Sequence, residues 1–316
     1  MSLIDVDDLA RTFVVRRRAG GFRRTRSKVD AVRDLTFGIE AGEMVGYIGP
    51  NGAGKSTTIK MLTGILVPTS GRLLVAGLEP SRQRTELARR IGVVFGQRTT
   101  LWWDLPLRDS FELLQRIYRV DPVRHRRNLQ EYVELLDLGD LLDTPVRQLS
   151  LGQRMRGDIT AALLHDPEIL YLDEPTIGLD VVSKGRLREF LRTLNAERGT
   201  TLMLTTHDLQ DIEALCDRVI VIDHGTAVFD GPLPDLHRRG GSHRTLVVDL
   251  VDEVAPISVA GAETRKVDGP RQWLSFPAGE SAAPIVSAVA SAYDVADLSI
   301  QEPAIEDVIR QIYAGA

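Results

Sequence analysis

One glycine-rich segment constrains the fold of this chain more than any other feature of the sequence. Residues 49–57 read Gly-Pro-Asn-Gly-Ala-Gly-Lys-Ser-Thr and match G-x-x-x-x-G-K-[ST], the pattern of a phosphate-binding P-loop. The apolar residues 44–48 precede the loop and predict a buried strand, and residues 57–62 predict the first turns of a helix. Because this strand–loop–helix order is the context that the motif requires, the sequence predicts an α/β domain that binds a nucleoside triphosphate.

The residue types in the loop suit a triphosphate. Glycines allow the backbone to wrap closely around the phosphates with its N–H groups pointing inward, and the following helix adds its positive N-terminal end. Lys55 would reach the β- and γ-phosphates, and the hydroxyl of Ser56 would ligate Mg²⁺. The predicted nucleotide-binding stretch comprises Gly49, Pro50, Asn51, Gly52, Ala53, Gly54, Lys55, Ser56 and Thr57.

Length and composition narrow the choice of protein class. A chain of 316 residues suits one large domain and one small one. The net charge of -5 argues against a general nucleic-acid binder, so no nucleic-acid partner is expected. The chain has neither an apolar run of about 18 residues that could span a bilayer nor a signal-peptide core near Met1. The single cysteine, Cys216, excludes an internal disulfide framework and suits a reducing cytoplasm.

The first part of the chain alternates strand and helix patterns. Residues 3–15 predict an edge strand, and a basic interruption follows at 16–28, which is either a solvated surface loop or a contact with anionic headgroups or another acidic surface. Further strands are predicted at 35–39, 72–75 and 91–95, with a short helix that includes residues 85–90. Helical spacing at 107–120 and 128–138 predicts a helical subdomain over about 97–165.

Strand patterns return after residue 165. Short apolar strands are predicted at 169–172, 201–205 and 219–222, as expected for a buried parallel sheet, with helices at about 185–198 and 209–216 between them. Residues 238–242 resemble a linker. Strand-like segments at 245–250 and 298–300 and helix-like segments at 281–292 and 304–313 then predict a small α+β module.

Two acids follow the strand predicted at 169–172. A carboxylate at the carboxyl end of a strand beside the P-loop strand is where P-loop enzymes hold Mg²⁺, so we expect Asp173 to do this through a water. Glu174 could polarise the water that attacks the γ-phosphate, and general-base catalysis of this kind increases a reaction rate roughly 10²–10⁴-fold. The alternatives are a helix or turn cap for Asp173 and an ordinary surface acid for Glu174.

These residues stand in an order that resembles the nucleotide-binding subunits of ABC transporters, up to about residue 238. The P-loop corresponds to the Walker A element and Asp173 and Glu174 to the end of Walker B. Leu149-Ser150-Leu151-Gly152-Gln153 resembles the signature motif, and Gly178-Leu179-Asp180 resembles the D-loop. The third signature position carries Leu151 where the family usually has glycine, while Ser150 and Gly152 still offer a hydroxyl, a backbone N–H and a helix N-terminus to an anion.

The resemblance assigns three further residues. It implies that Gln97 senses Mg²⁺ and the attacking water, and that His207 is the switch histidine, for which capping of the helix near Asp208 is the alternative. It also makes Phe13 the counterpart of the aromatic residue that stacks on adenine. The predicted catalytic residues are therefore Glu174, His207, Gln97 and Lys55, and the predicted metal-binding residues are Ser56, Gln97 and Asp173. Beyond the P-loop, the nucleotide contacts would come from Phe13, Ser150, Gly152, Gln153 and Asp180.

The resemblance also implies the architecture. It predicts an α/β P-loop ABC ATPase domain over residues 1–238, with a mixed sheet core, an antiparallel β edge and the helical subdomain at about 97–165. Residues 239–316 would form a small C-terminal α+β domain. Two subunits would sit head to tail with two ATP molecules between them, and closure would push on a membrane partner.

The implied partner is a separate integral membrane permease, which would hold the chain at the cytoplasmic face of the cell membrane. Trp102 and Trp103 lie where such subunits meet the permease, and they form either an apolar docking surface or core packing in the helical subdomain. The single ATPase domain with a short C-terminal tail resembles ABC-2-type exporters of drugs, antibiotics and polysaccharides, so export is expected.

A soluble ABC ATPase that acts on ribosomes or DNA is the main alternative function. Ribosome-associated members usually carry two ATPase domains, and this chain has one P-loop. DNA-repair members usually carry a long coiled coil or zinc modules, and the chain shows neither sustained heptads nor more than one cysteine. A plain P-loop kinase or GTPase is disfavoured by the signature motif and by His207.

Overall fold

The computed structural model describes residues 2–18, 24–96, 98–240, 243–277, 279–301, 308, 309 and 313, with the backbone alone described at 16–18, 24, 25 and 237–240. The chain divides into two compact units, Met1–Asp230 and Gly231–Ala316. The domain boundary expected after residue 238 stays a prediction. None of the helices in this described part is long and apolar enough to cross a membrane.

A six-stranded sheet forms the centre of the first unit, with strands β3 (Met44–Ile48), β5 (Ile91–Phe95), β6 (Ile169–Asp173), β7 (Thr201–Thr205), β8 (Arg218–Asp223) and β9 (Thr226–Pro232). Their order in the sheet is β5-β6-β7-β3-β8-β9. Pairing is parallel between β5 and β6, β6 and β7, β7 and β3, and β3 and β8, so the carboxyl ends of these strands meet at one edge. The P-loop follows β3, Asp173 and Glu174 stand at the end of β6, and His207 follows β7, so these predicted site residues are brought together there.

A three-stranded antiparallel sheet in order β2-β1-β4 accompanies the central sheet, with strands β1 (Ile4–Arg18), β2 (Arg24–Ile39) and β4 (Ser70–Val75). The prediction of β1 as an edge strand is wrong, because β2 and β4 pair on its two sides. The loop interpretation of residues 16–28 is also wrong for most of that segment. The backbone pairs Arg16 with Arg26 and Arg18 with Arg24, and residues 19–23 lie outside the described residues.

One hydrophobic core joins the two sheets of the first unit. It combines side chains from the antiparallel sheet, such as Ile4 and Leu35, with Tyr47 and Tyr171 from the central sheet and Ile59 from the helix after the P-loop. Each is fully or almost fully buried, and burial of an isoleucine or leucine side chain contributes about 1.5–3 kcal/mol. This core fixes the P-loop strand and its helix against a rigid base.

Most helices of the first unit overlap the segments predicted for them, whereas the helix at Leu151–Leu163 falls within the predicted helical subdomain without predicted bounds of its own. They are α1 (Lys55–Leu62), α2 (Arg84–Leu87), α3 (Leu107–Tyr118), α4 (Pro122–Leu135), α5 (Leu151–Leu163), α6 (Val181–Arg198) and α7 (Leu209–Leu215). Helix α4 begins earlier than its apolar pattern predicts, because the Asp121 side chain accepts hydrogen bonds from the backbone N–H groups of Val123 and Arg124 and caps the helix. Helices α3, α4 and α5 occupy the predicted helical subdomain.

The second unit has its own sheet and core. Its elements are α8 (Leu233–Gly240), β10 (His243–Leu250), β11 (Glu263–Asp268), β12 (Arg271–Pro277), α9 (Ala282–Ala292) and β13 (Val295–Gln301). The four strands pair antiparallel in order β11-β12-β10-β13, and Leu246, Phe276 and Ile285 lie in the core. Residues 238–240, expected in a linker, end helix α8, and most of the helix predicted at 304–313 lies outside the described residues.

Candidate nucleotide-binding site

The P-loop follows β3, and its last three residues, 55–57, form the first turn of α1. Gly52 and Gly54 have φ angles of 86° and 108°, a backbone conformation that L side chains rarely adopt. A Cβ atom at Gly54 would also lie 2.5 Å from the carbonyl oxygen of Ala31, so only glycine fits there. The loop is closed by a hydrogen bond of 3.1 Å from the Ala53 N–H to the Pro50 carbonyl. The glycines thus leave backbone N–H groups at the start of α1 free of side-chain crowding.

Lys55 lies over the loop as its first helical residue. Its Nζ donates hydrogen bonds to the carbonyl oxygens of Gly49 at 2.5 Å and Pro50 at 3.1 Å. Burial lowers the pKa of Lys55, and the nearby charges of Glu174 and Asp173 oppose that change. A buried lysine between a P-loop and two acids is placed to contact a phosphate oxygen.

The acids stand at the end of β6. The Thr205 hydroxyl donates a 2.6 Å hydrogen bond to Oδ1 of Asp173 and thereby orients this carboxylate. Glu174 has a φ of 57°, which is strained for a residue other than glycine. Its N–H is held by a 2.8 Å hydrogen bond to the Thr205 carbonyl. The end of β7 therefore fixes both acids of the β6 terminus.

His207 contacts Glu174 in two ways. Its backbone N–H donates to Oε2 of Glu174 at 3.3 Å, and its Nε2 lies 3.3 Å from Oε1. Burial raises the pKa of Glu174 and Asp173 adds to the rise, whereas the His207 charge and hydrogen bond and the Lys55 charge oppose it. A carboxylate with a raised pKa, held by a histidine, has the character of a general base.

A cavity of about 500 Å³ brings these groups together. Its volume lies in the range of small-molecule and cofactor sites. The wall combines the P-loop, the acids and His207 with two further cations, Lys60 and Arg98, that the sequence motifs did not single out. Its lining residues are Ala31, Asn51, Gly52, Gly54, Lys55, Ser56, Thr57, Lys60, Ile65, Phe95, Gly96, Arg98, Asp173, Glu174 and His207.

A buried polar network lies beneath the acids and His207. Asp211 has no exposed surface, and its carboxylate accepts hydrogen bonds from the Thr176 hydroxyl at 2.5 Å and from Nε of Arg188 at 2.7 Å. Nearby, Lys184 Nζ contacts the Asp208 carboxylate at 2.5 Å and lowers the pKa of Asp208. These contacts tie α6 to the segment that follows Glu174 and to the segment that includes His207.

The predicted signature and D-loop residues do not line this cavity. Ser150 caps α5, since its hydroxyl accepts from the Gln153 N–H at 3.2 Å while the Gln153 side chain accepts from the Ser150 N–H at 2.9 Å. Gly152 lies in the first turn of α5. Asp180 caps α6 by accepting a 2.9 Å hydrogen bond from the Ser183 N–H. The structure thus places Ser150, Gly152, Gln153 and Asp180 at two helix N-termini.

Phe13 and Gln97 are the remaining predicted site residues. Phe13 lies on β1 opposite Val29, outside the cavity lining, and the Arg11 guanidinium sits 4.7 Å from its ring centre. Gln97 lies outside the described residues, just after β5. The assignments of both residues stay predictions.

The pair Trp102 and Trp103 lies on the surface of the first unit. Their side chains are 38% and 50% exposed, and Arg154 stacks over the Trp103 ring at 5.6 Å. Core packing therefore does not account for the two tryptophans.

Lys60, Arg98 and Thr205 were not predicted as site residues. Lys60 and Arg98 add positive charge to the cavity wall, and Thr205 holds Asp173. Thr205 ends the apolar segment of β7, and a hydroxyl at the end of a strand beside the acids was the available signal. No motif marks the two cations.

The comparisons with known proteins agree on one family. The model of the family described as "ABC transporter" matches residues 32–177. The "ABC transporter ATP-binding protein NatA" of Bacillus subtilis is 35% identical over 216 residues, which are 68% of this chain and 87% of that protein. The "Daunorubicin resistance ATP-binding protein DrrA3" of Streptomyces coeruleorubidus is 34% identical over 287 residues, which are 88% of this chain and 89% of that protein.

A solved structure gives the same result for the fold. A dimeric post-hydrolysis state of the ATP-binding cassette MJ0796, bound to ADP and Pi, is similar with a TM-score of 0.63 and 26% identity. The match covers 73% of this chain and 98% of that one. The fold of this chain therefore matches almost the full length of that ATP-binding cassette.

Proposed function

The chain belongs to the ATP-binding proteins of ABC transporters and is an ATPase, and from this premise we propose that it powers export through a separate membrane permease. The observation that carries the ATP-driven part of the proposal is one cavity, in which Glu174 and His207 lie beside Lys55 and the other P-loop residues. Lys55 and the loop N–H groups bind the phosphates of ATP. Glu174 takes a proton from the attacking water, and His207 holds the Glu174 carboxylate in place.

The cavity also fits Mg²⁺, which would offset the negative charge of the phosphates. The Ser56 hydroxyl and the Asp173 carboxylate both line it, and oxygen donors are what this ion prefers. Thr205 keeps the Asp173 carboxylate oriented. Ser56 and Asp173 would hold the ion, and Gln97 is proposed as a further contact from the end of β5.

A second copy of the chain would complete the site. Ser150, Gly152, Gln153 and Asp180 lie at the N-termini of α5 and α6, where backbone N–H groups and a positive helix end favour an anion. In a head-to-tail homodimer they would contact ATP bound to the partner's P-loop, and Phe13 would stack on adenine. The dimeric ATP-binding cassette among the similar structures supports this arrangement.

Export through an ABC-2-type permease is the proposed transport direction. The "Nod factor export ATP-binding protein I" of Sinorhizobium fredii is 42% identical over 205 residues, or 63% of this chain, and DrrA3 is named for daunorubicin resistance. Exposed Trp102 and Trp103 offer an apolar surface on which a permease helix could dock. Docking there would hold the chain at the cytoplasmic face of the cell membrane.

A pull-down with tagged Glu174→Gln protein from solubilised membranes tests this function. ATP should hold the closed dimer on its partner, so we expect an integral membrane protein of several helices to co-purify. The same protein with Lys55→Ala added, which should not bind the phosphates, is the control and should recover much less of it. Recovery of ribosomal proteins or nucleic acid without a membrane protein would contradict the proposal and favour a soluble ABC ATPase.

A further inference from the structure

The unusual leucine of the signature segment has a specific partner in the fold. We call residues 150–153 the signature segment and residues 174–180 the acid loop, since the latter begins with Glu174 and ends with Asp180. Gly178 has a φ of 71°, and a Cβ atom at Gly178 would clash with Leu151 Cδ2. The Leu151 side chain therefore lies directly over the Gly178 backbone.

A second contact of the same kind runs in the opposite direction. A Cβ atom at Gly152 would lie 2.8 Å from Leu179 Cδ2, so the Leu179 side chain covers Gly152. Each segment thus offers one leucine to the glycine of the other. Two reciprocal contacts of this kind resist sliding of one segment past the other, because close-packed surfaces transmit displacement rather than absorb it.

The acid loop itself is stiff between Glu174 and Leu179. The Ile177 N–H donates to the Glu174 carbonyl at 3.3 Å, and the Leu179 N–H donates to the Thr176 carbonyl at 3.2 Å. The Thr176 hydroxyl is further held by buried Asp211. A displacement at Gly178 is therefore passed to the residue that we propose as the general base.

We propose that Leu151 is a positioning residue that locks the signature segment to the acid loop of the same subunit. The proposal rests on the function proposed above, in which the signature segment contacts ATP bound by a partner copy. Movement of the signature segment onto that nucleotide would then adjust Glu174 and Asp180 in its own subunit. A glycine at position 151 would lack the side chain that makes this link.

Steady-state hydrolysis of ATP tests the consequence. Leu151→Ala should lower kcat at least about five-fold, because the interaction energies of side chains in contact correspond to rate changes of that size. KM for ATP should stay within about two-fold of the parent, because the P-loop is untouched. Leu151→Met, which keeps a flexible side chain of similar reach, should stay within about two-fold of the parent. Leu135→Ala is the matched control, since Leu135 is a 48% exposed leucine on α4. A Leu151→Ala enzyme with parental kcat would overturn the proposal.

A double-mutant cycle tests the contact. Gly178→Ala adds a methyl group that clashes with Leu151 Cδ2, so it should reduce kcat at least about five-fold more in the parent than in the Leu151→Gly background. The backbone strain at Gly178 is the same in both backgrounds and cancels. Equal losses in the two backgrounds would show that the segments are not coupled through this contact and would overturn the proposal.

The unfolding midpoint in urea supplies a readout that needs no ATP. The same four proteins should show a non-additive change in midpoint if the side chains touch, and additive changes would contradict the lock. Together, the hydrolysis and unfolding measurements distinguish a failure of the proposed function from a failure of the proposed contact. An inactive parent would contradict the function proposed above for the nucleotide site, whereas an active parent with additive variants would contradict the role of Leu151 alone.

Discussion

Glu174 concentrates the chemistry of this chain in one residue. Its φ of 57° lies in a region that costs a residue other than glycine about 1–3 kcal/mol, and the fold retains it because Thr205 and His207 both bind it. The strained backbone turns the carboxylate into the cavity that holds Lys55 and the P-loop. The orientation and the burial of Glu174 thus both favour its role as the base that takes a proton from a water molecule.

The raised pKa of Glu174 predicts the pH dependence of hydrolysis. A general base works when deprotonated, so activity should fall as pH decreases through the raised pKa, at a higher pH than for an ordinary glutamate with its pKa of 4.5. The measurement is the rate of phosphate release across pH. Binding of ATP to the Glu174→Gln protein, measured over the same range, is the control.

The variant His207→Ala separates the two titratable groups. The His207 charge lowers the pKa of Glu174, so its removal should move the acid limb of the rate profile to higher pH. Loss of the limb in the residual activity would instead assign it to His207 and contradict a titrating Glu174.

At the scale of elements, the buried network around Asp211 holds α6, α7 and the acid loop together. Asp211→Ala should lower the free energy of unfolding by about 3 kcal/mol, because Arg188, which is only 21% exposed, loses its main partner. The measurement is urea unfolding. Asp143→Ala is the control, since Asp143 is 83% exposed in its pair with Arg108 and should change stability by less than about 1 kcal/mol. Equal effects of the two variants would rule out a structural role for the network.

The elements differ in how well the sequence predicts them. Short apolar strands such as β6 and β7 were predicted almost to the residue, because a strand buried on both faces has no competing pattern. The ends of β1 and β2 were not, since their arginines and serine resemble a loop and only their mutual pairing makes them strands. Strand β11 was missed for a similar reason, because Glu263, Arg265, Lys266 and Asp268 interrupt any apolar alternation.

For the molecule as a whole, the sequence motifs predicted which residues gather around the nucleotide cavity, but they did not predict the contacts between distant segments. The P-loop, Asp173, Glu174 and His207 were predicted from their order and do line one cavity, because parallel strands deliver their carboxyl ends to one edge. Lys60 and Arg98 could not be predicted, since nothing in their local sequence marks them. The pairing of Leu151 with Gly178 depends on how two helix N-termini approach each other, which no local pattern encodes.

Phosphate release by the Glu174→Gln protein, measured beside its binding of ATP, tests the account most directly. The account predicts a rate at least about 100-fold below the parent with ATP still bound, because the base is lost and the P-loop is intact. Glu189→Gln, which changes an exposed acid on α6, is the matched control and should retain the parental rate. A Glu174→Gln rate within a few-fold of the parent would contradict the central claim that Glu174 drives ATP hydrolysis in this site.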